Sequence, residues 1–442
     1  MNIKMAWSVL ALALAAGPLA AQTQEQKTAE LERKVEALAG EIERLKLGDA
    51  AEPDLKSALG LGPAASKVYQ KSPKKVSLGG YGEMIYENYQ PKKQDGTGAG
   101  KRDVIDLARA ILYVGYKFSD RITFNSEIEF EHGTAKTGNA VAGSAPSRGE
   151  VSVEMAAIDF KPFDDRLGLR AGLMLMPVGL INEIHEPTTF NGAKRPSVES
   201  NLIPSTWREN GVGLFGEWGP ASYRSYVVSG LQAGNDTNVS GFSASSGLRN
   251  GRSSGAKSFI QDAAWVTRLD LSPVEGATVG GSLYVGEADQ SQLRLPAVPV
   301  TLWETHAKFA WRGAELRALY AQVKVGNVDS LNALQGNAVG GTGSVGSDMF
   351  GGYLEAAYDV LTLWDNPKGQ SLTPFVRYER YDTQAGVPHA WRKNPSNSRV
   401  EYTLGAGYKP LPQVVLKADH QLLKDQGLTG VGQTNLAIGY IF

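Results

Sequence analysis

The segment Thr434-Asn435-Leu436-Ala437-Ile438-Gly439-Tyr440-Ile441-Phe442 decides the fold. Its period is two. Thr434, Leu436, Ile438, Tyr440 and Phe442 share one face of a strand, while Asn435, Ala437 and Gly439 share the other. One apolar face and one small, polar face suit a wall between lipid and an aqueous lumen. Tyr440 and the aromatic carboxylate Phe442 read as the barrel-assembly signal on which an outer-membrane β-barrel ends. An edge strand of a soluble antiparallel sheet can alternate in the same way, so the rest of the chain has to arbitrate.

The pattern recurs upstream. Alternating or apolar-rich segments fall near 76–88, 103–118, 121–132, 150–160, 166–176, 211–218, 221–231 and 258–271, then near 277–287, 301–311, 314–325, 349–361, 371–382, 399–409, 412–421 and 433–442, sixteen strand candidates in all. Tight turns at Ser119-Asp120, 161–165, Gly219-Pro220, Arg312-Gly313 and 410–412 alternate with long loops rich in Gly, Ser and Asn. Short turns at one end and long loops at the other are the asymmetry of a membrane barrel, which a soluble sandwich has no reason to show. The expected fold is all-β, a transmembrane antiparallel barrel of about sixteen strands over 76–442 with both ends in the periplasm. Connections 362–370 and 424–433 blur the alternation and leave fourteen or eighteen strands open.

Residues 1–21 read as a signal peptide. Lys4 supplies the positive region, Met5 to Ala16 the apolar stretch, and Gly17-Pro18 the break before Ala20 and Ala21. The expected location is the outer membrane of a Gram-negative-type bacterium. Over 22–47, Thr28, Val35 and Ile42 fall at heptad position a and Leu31, Leu38 and Leu45 at d, which predicts a short periplasmic coiled coil. β-branched a residues with Leu at d favour two strands in such a coil. Residues 48–75, with Pro53, Gly60, Gly62-Pro63 and Pro73, read as a linker.

Composition excludes several classes. Removing residues 1–21 takes one lysine from 45 basic residues, leaving 44 against 46 acidic ones, a balance that argues against nucleic acid as a partner. Mean hydropathy is slightly negative, as expected where the membrane band is hidden in alternation. The chain has no cysteine, so thiol chemistry is out. Among only five histidines no Gly-x-Ser-x-Gly element or Ser/His/Asp spacing occurs, so neither an enzyme nor a cofactor is expected.

Facing follows from cost. A charge held in lipid costs up to about 2–4 kcal/mol near the midplane, so Glu127, Glu129 and Glu131, opposite Ile128 and Phe130, must point into the lumen. The same rule turns Arg109, Arg170, Lys308, Arg317 and Arg377 inward. The connection from Pro177 to Asn210 carries charges, apolar residues and four prolines, and reads as a third long loop folded into the channel. Its Asn182, Glu183, His185, Glu186, Lys194, Arg195, Glu199, Arg208 and Glu209 are the expected pore constriction. Glu183, His185 and Glu186, with Glu131-His132, offer metal-binding chemistry, but no spacing is a recognised signature and no metal is expected.

The run RAGLMLMPVGL at 170–180, with Arg195-Pro196 and the return on Gly211-Val212-Gly213, resembles the phosphate-selective porin O and P family over roughly 76–442. That resemblance implies sixteen-stranded homotrimers with an inward third loop, and arginine and lysine rows in the anion-selective members. Arg109, Arg170, Lys194 and Arg195 stand as counterparts by position. The N-terminal heptads are similar in architecture to trimeric porins with a periplasmic coiled coil that pass dicarboxylates. The expected function is passive diffusion of small hydrophilic anions, phosphate or small organic acids. The acidic row Glu127, Glu129 and Glu131 keeps a cation- or metal-ion-permeable channel as the alternative, and the coil keeps an envelope-anchoring protein. Expected partners are outer-membrane lipid, further copies of the chain, the barrel-assembly machinery and peptidoglycan.

Overall fold

A computed structural model describes residues 33, 35, 36, 56–70, 74–133, 149–234, 241–291, 296–364 and 369–442. Its strands are β1 (Val76–Tyr89), β2 (Val104–Lys117), β3 (Ile122–Glu131), β4 (Val151–Phe160), β5 (Gly168–Leu175), β6 (Arg208–Trp218), β7 (Ala221–Ser229) and β8 (Ala263–Val274). The second half adds β9 (Ala277–Glu287), β10 (Pro299–Trp311), β11 (Ala314–Val325), β12 (Asp348–Tyr358), β13 (Ser371–Gly386), β14 (Ser398–Leu411), β15 (Val414–Asp425) and β16 (Gln433–Ile441). Each pairs antiparallel with its sequence neighbours, and β1 pairs with β16 from Tyr81↔Ile441 to Tyr89↔Gln433, which closes a sixteen-stranded barrel. The terminal residue takes part. Phe442 donates its N–H to Gly80 O at 2.9 Å and accepts from Gly80 N at 3.0 Å. Closure gives each of the described strands a partner on both sides, as backbone crossing lipid in strands requires.

All sixteen expected segments contain a strand, with shifts at the ends. Pairing of Leu175 with Arg208 and Met174 with Glu209 starts β6 three residues before the expected 211. Arg208 and Glu209, expected in the constriction loop, therefore belong to the wall. Along β16 the outward Thr434, Leu436, Ile438 and Tyr440 are exposed while Asn435, Ala437 and Ile441 are buried. Exposed Phe118, Phe163, Trp218, Trp311 and Trp364 sit at the short-turn end, where amphipathic rings favour the lipid–water boundary.

Alternation is broken in β4. Between β3 and β4 the register steps from Glu127↔Met155 to Ile128↔Val153, leaving Glu154 as the extra residue of a β-bulge. Consecutive side chains Glu154 and Met155 are in consequence both buried, where a regular strand sends them to opposite faces.

The core lies inside the barrel. The connection between β5 and β6 folds inward, and its Val178, Val198, Leu202, Ile203 and Trp207 are buried in one cluster with Met349, Tyr353 and Tyr381 of the wall. Residues 56–70, the second part of the expected linker, join it. Leu61, Ala64 and Ala65 are buried with Tyr81, Ile111 and Tyr113, and a 3₁₀ turn runs from Ala65 to Tyr69. Of the expected coiled coil, Leu31, Leu38, Ile42 and Leu45 lie outside the described residues, as does the signal peptide. Arg33, Val35 and Glu36 are helical.

Candidate functional site: the loop-divided lumen

Asn182 staples the base of the inward loop. Its amide donates to Met176 O (2.7 Å) and Trp207 O (2.9 Å) and accepts Trp207 N–H (2.7 Å), joining the two ends of the excursion. At its start Gly179 adopts φ 77°, where a Cβ would also collide with the Glu199 carboxylate. Glu199 is buried, accepting from Ile181 N at 2.8 Å and Tyr353 Oη at 2.6 Å. Burial pushes its carboxyl above the ordinary range.

From there the loop crosses to the far wall, where the wall charges bind its backbone. Arg317 donates to Thr189 O (2.8 Å), Lys409 to Thr188 O (2.8 Å) and Lys417 to Gly192 O (2.8 Å). Glu379 accepts from Val198 N (3.1 Å) and Asp419 from Ala193 N (2.6 Å). Many inward charges that could line open water thus satisfy loop backbone that would otherwise be buried without partners.

Among the described residues, two cavities lie inside the barrel on either side of the loop. The one at the short-turn end, about 920 Å³, is lined by Leu59 and Gly60, by Glu183, Thr188 and Phe190, and by Arg224, Arg268, Lys308, Glu315, Arg317 and Lys409 of the wall. The one at the long-loop end, about 710 Å³, is lined by Glu83, Glu87, Lys101, Arg109, Lys194, Arg195, Arg249, Arg399 and Glu401 among others. Among the described residues Phe190 alone borders both. Lys417 Nζ lies 3.7 Å from its ring centroid, a cation–π contact that holds the ring.

The expected constriction residues thus divide. Glu183 faces the first cavity and pairs with Arg224 at 3.2 Å, while burial raises its carboxyl above its usual range. Lys194 and Arg195 face the second, where Lys194 pairs with Glu87. Asn182, His185, Glu186 and Glu199 line neither, being buried where the loop meets other chain. Of the wall charges, Arg109, Lys308 and Arg317 border a cavity. Glu127, Glu129, Glu131, Arg170 and Arg377 border neither.

Arg195, Arg249 and Arg252 find no carboxylate among the described residues. Arg195 donates to His185 O at 3.3 Å, Arg249 to Ser200 O at 2.7 Å, and Arg252 to Arg249 O at 2.9 Å, all neutral acceptors. Burial, then Arg109 beside it, pulls Arg195 below its ordinary value, and burial with Arg249 and Arg208 brings Arg252 down to about 10. Like charges gathered over neutral oxygens leave a positive field.

Glu186 reaches the other way, into the N-terminal segment. Its carboxylate accepts Ala64 N–H (2.9 and 3.1 Å) and Ala65 N–H (3.2 Å), and Asn125 Nδ2 donates to Ala65 O at 2.9 Å. Burial pushes Glu186 up to about 7 against the pull of those two N–H groups. His185 donates from Nδ1 to Asn182 O (2.9 Å) and turns Nε2 toward Glu127. Burial opposes its charge, but Glu127 outweighs burial and raises it to about 9. His132 pairs instead with Asp106 at 2.6 Å, and among the described residues Glu183, His185, Glu186 and His132 form no common ligand group. Nothing in the alternation marked Glu154, which the bulge brings beside His185.

The strand order and the inward loop define a closed sixteen-stranded antiparallel β-barrel of the porin-type fold. Solved structures agree on the fold: OmpF of Salmonella typhi superposes with a TM-score of 0.52 at 12% identity, covering 83% of this chain and 97% of that one. The outer membrane channel DcaP of Acinetobacter baumannii gives 0.50 at 13%, covering 84% and 99%. No family model matches the chain. A protein of Aquifex aeolicus described as uncharacterized is 38% identical over 365 residues, covering 82% of this chain and 78% of that protein, and the chain belongs to the same family.

Proposed function

We propose that the barrel is an outer-membrane porin for passive diffusion of small hydrophilic anions, phosphate or small organic acids, with the inward loop as its filter. The observation that carries the reading is the pair Arg195 and Arg249, which line the long-loop cavity with Arg252 bonded to Arg249 O, all three guanidinium groups bonding neutral oxygens and making no ion pair among the described residues. A partly dehydrated anion entering there gains attraction that a cation loses, and the low-dielectric surroundings enlarge the difference. The acidic row that would favour cations supports this reading by its position, since Glu127, Glu129 and Glu131 line neither cavity. The homotrimer, the periplasmic coiled coil and peptidoglycan contact belong to the same proposal. They rest on the heptads and on the family resemblance.

The test is the reversal potential of the refolded mature chain in a planar bilayer under a salt gradient. An anion-selective sign, moved toward neutrality in R195Q/R249Q, is expected. A cation-selective sign, or an anion-selective one that the double substitution leaves in place, refutes the assignment.

A further inference from the structure

His185, Glu127 and Glu154 come from three separate places, the loop, β3 and the bulge of β4, and meet in full burial. We propose that they form a binding site for one divalent transition-metal ion of the zinc class, which ties the loop to the wall.

The first argument is spacing. His185 Nε2 lies 3.2 Å from Glu127 Oε1 and 3.5 Å from Glu154 Oε2. Tetrahedral zinc with bonds of about 2.0–2.1 Å places its ligand atoms about 3.3–3.4 Å apart, which these separations bracket. The second is the tautomer. With Nδ1 donating to Asn182 O, an imidazole that loses its other proton presents the Nε2 lone pair to the two carboxylates.

The third is the supporting contacts. Arg208 donates to Glu154 Oε1 at 2.8 Å and Tyr113 to Glu127 Oε1 at 3.1 Å, orienting both carboxylates. The fourth is what remains unpaired. Glu127 Oε2 and Glu154 Oε2 have no hydrogen-bond partner among the described residues, although neither side chain is exposed at all. Buried carboxylate oxygens without donors are costly, and a cation held by Glu154 Oε2, which is one of the spaced atoms, removes that cost there. Three protein ligands leave a fourth position for water. On loading, the ion replaces the proton on His185 Nε2, and that proton leaves to solvent.

The experiment uses the full mature chain, refolded in detergent, stripped with chelator and dialysed against Zn²⁺. Metal content by mass spectrometry and Co²⁺ visible absorption are read, with folding checked by heat-modifiable gel mobility. One Zn²⁺ per chain and a tetrahedral Co²⁺ spectrum are expected. Y113F should weaken binding about 10–100-fold through its orienting contact. H185Q and E127Q should weaken it further, and E183Q, outside the cluster, should leave it unchanged. Folded wild-type protein that takes up no metal overturns the proposal and leaves His185 as the cation of an ion-pair network. So does metal bound as tightly by H185Q as by wild type. Conduction is measured without added metal, so failure here is separate from failure of the channel reading.

Discussion

Replacing Glu186 by alanine should loosen residues 56–70 from the barrel interior. The carboxylate is the acceptor for the N–H groups of Ala64 and Ala65, and all three residues are buried. Alanine leaves two buried donors without an acceptor, at about 1–3 kcal/mol each, so a total of about 2–6 kcal/mol is expected. Since about 1.4 kcal/mol is tenfold, the undocked population should rise roughly 30- to 20,000-fold. Leu59, Leu61 and Val68 remain buried, so the docked form still dominates. Trypsin reports the change at Lys67, because cleavage follows the open population when opening and closing are fast. Exposed Lys74 and Lys75 serve as an internal reference. E186Q, which keeps one acceptor oxygen, should fall between. Cleavage at Lys67 at the wild-type rate in folded E186A refutes the reasoning and assigns docking to apolar packing alone.

F190A removes the ring that borders both cavities, and single-channel conductance should rise; unchanged conductance puts the narrowest point elsewhere. R377M strips the guanidinium that bonds Glu355 at 3.1 Å and Glu379 at 2.8 Å, leaving buried carboxylates uncompensated, and denaturant unfolding should show a loss of about 3–5 kcal/mol. A loss below about 1 kcal/mol would mean that water reaches those carboxylates. At Gly439 a Cβ would stand 2.5 Å from Pro187 Cβ, so G439V should push the loop off β16 and cost about 1–3 kcal/mol in the same assay, with faster trypsin cleavage after Lys194. Wild-type stability and cleavage in G439V would show that the loop does not rest there.

The alternation of β16 was legible because it is local: a side chain's face depends on its parity along the strand, and lipid on one side makes parity visible in residue type. The same local rule turned Glu127 and Arg377 inward, and the alternation of short and long connections carried the strand count. Arg208 and Glu209 were misplaced because the sheet extends three residues beyond the point where their pattern becomes apolar. Glu154 was invisible because a bulge reverses parity, and its cause lies in pairing with β3. Residues 56–70 read as a linker because their partners, Glu186 and Asn125, lie 60 or more residues away in the chain. Which inward charges meet one another, the loop or water was decided only by the closed barrel. Closure and strand stagger bring together residues such as Arg377 and Lys194, 183 positions apart, and no local preference encodes that distance.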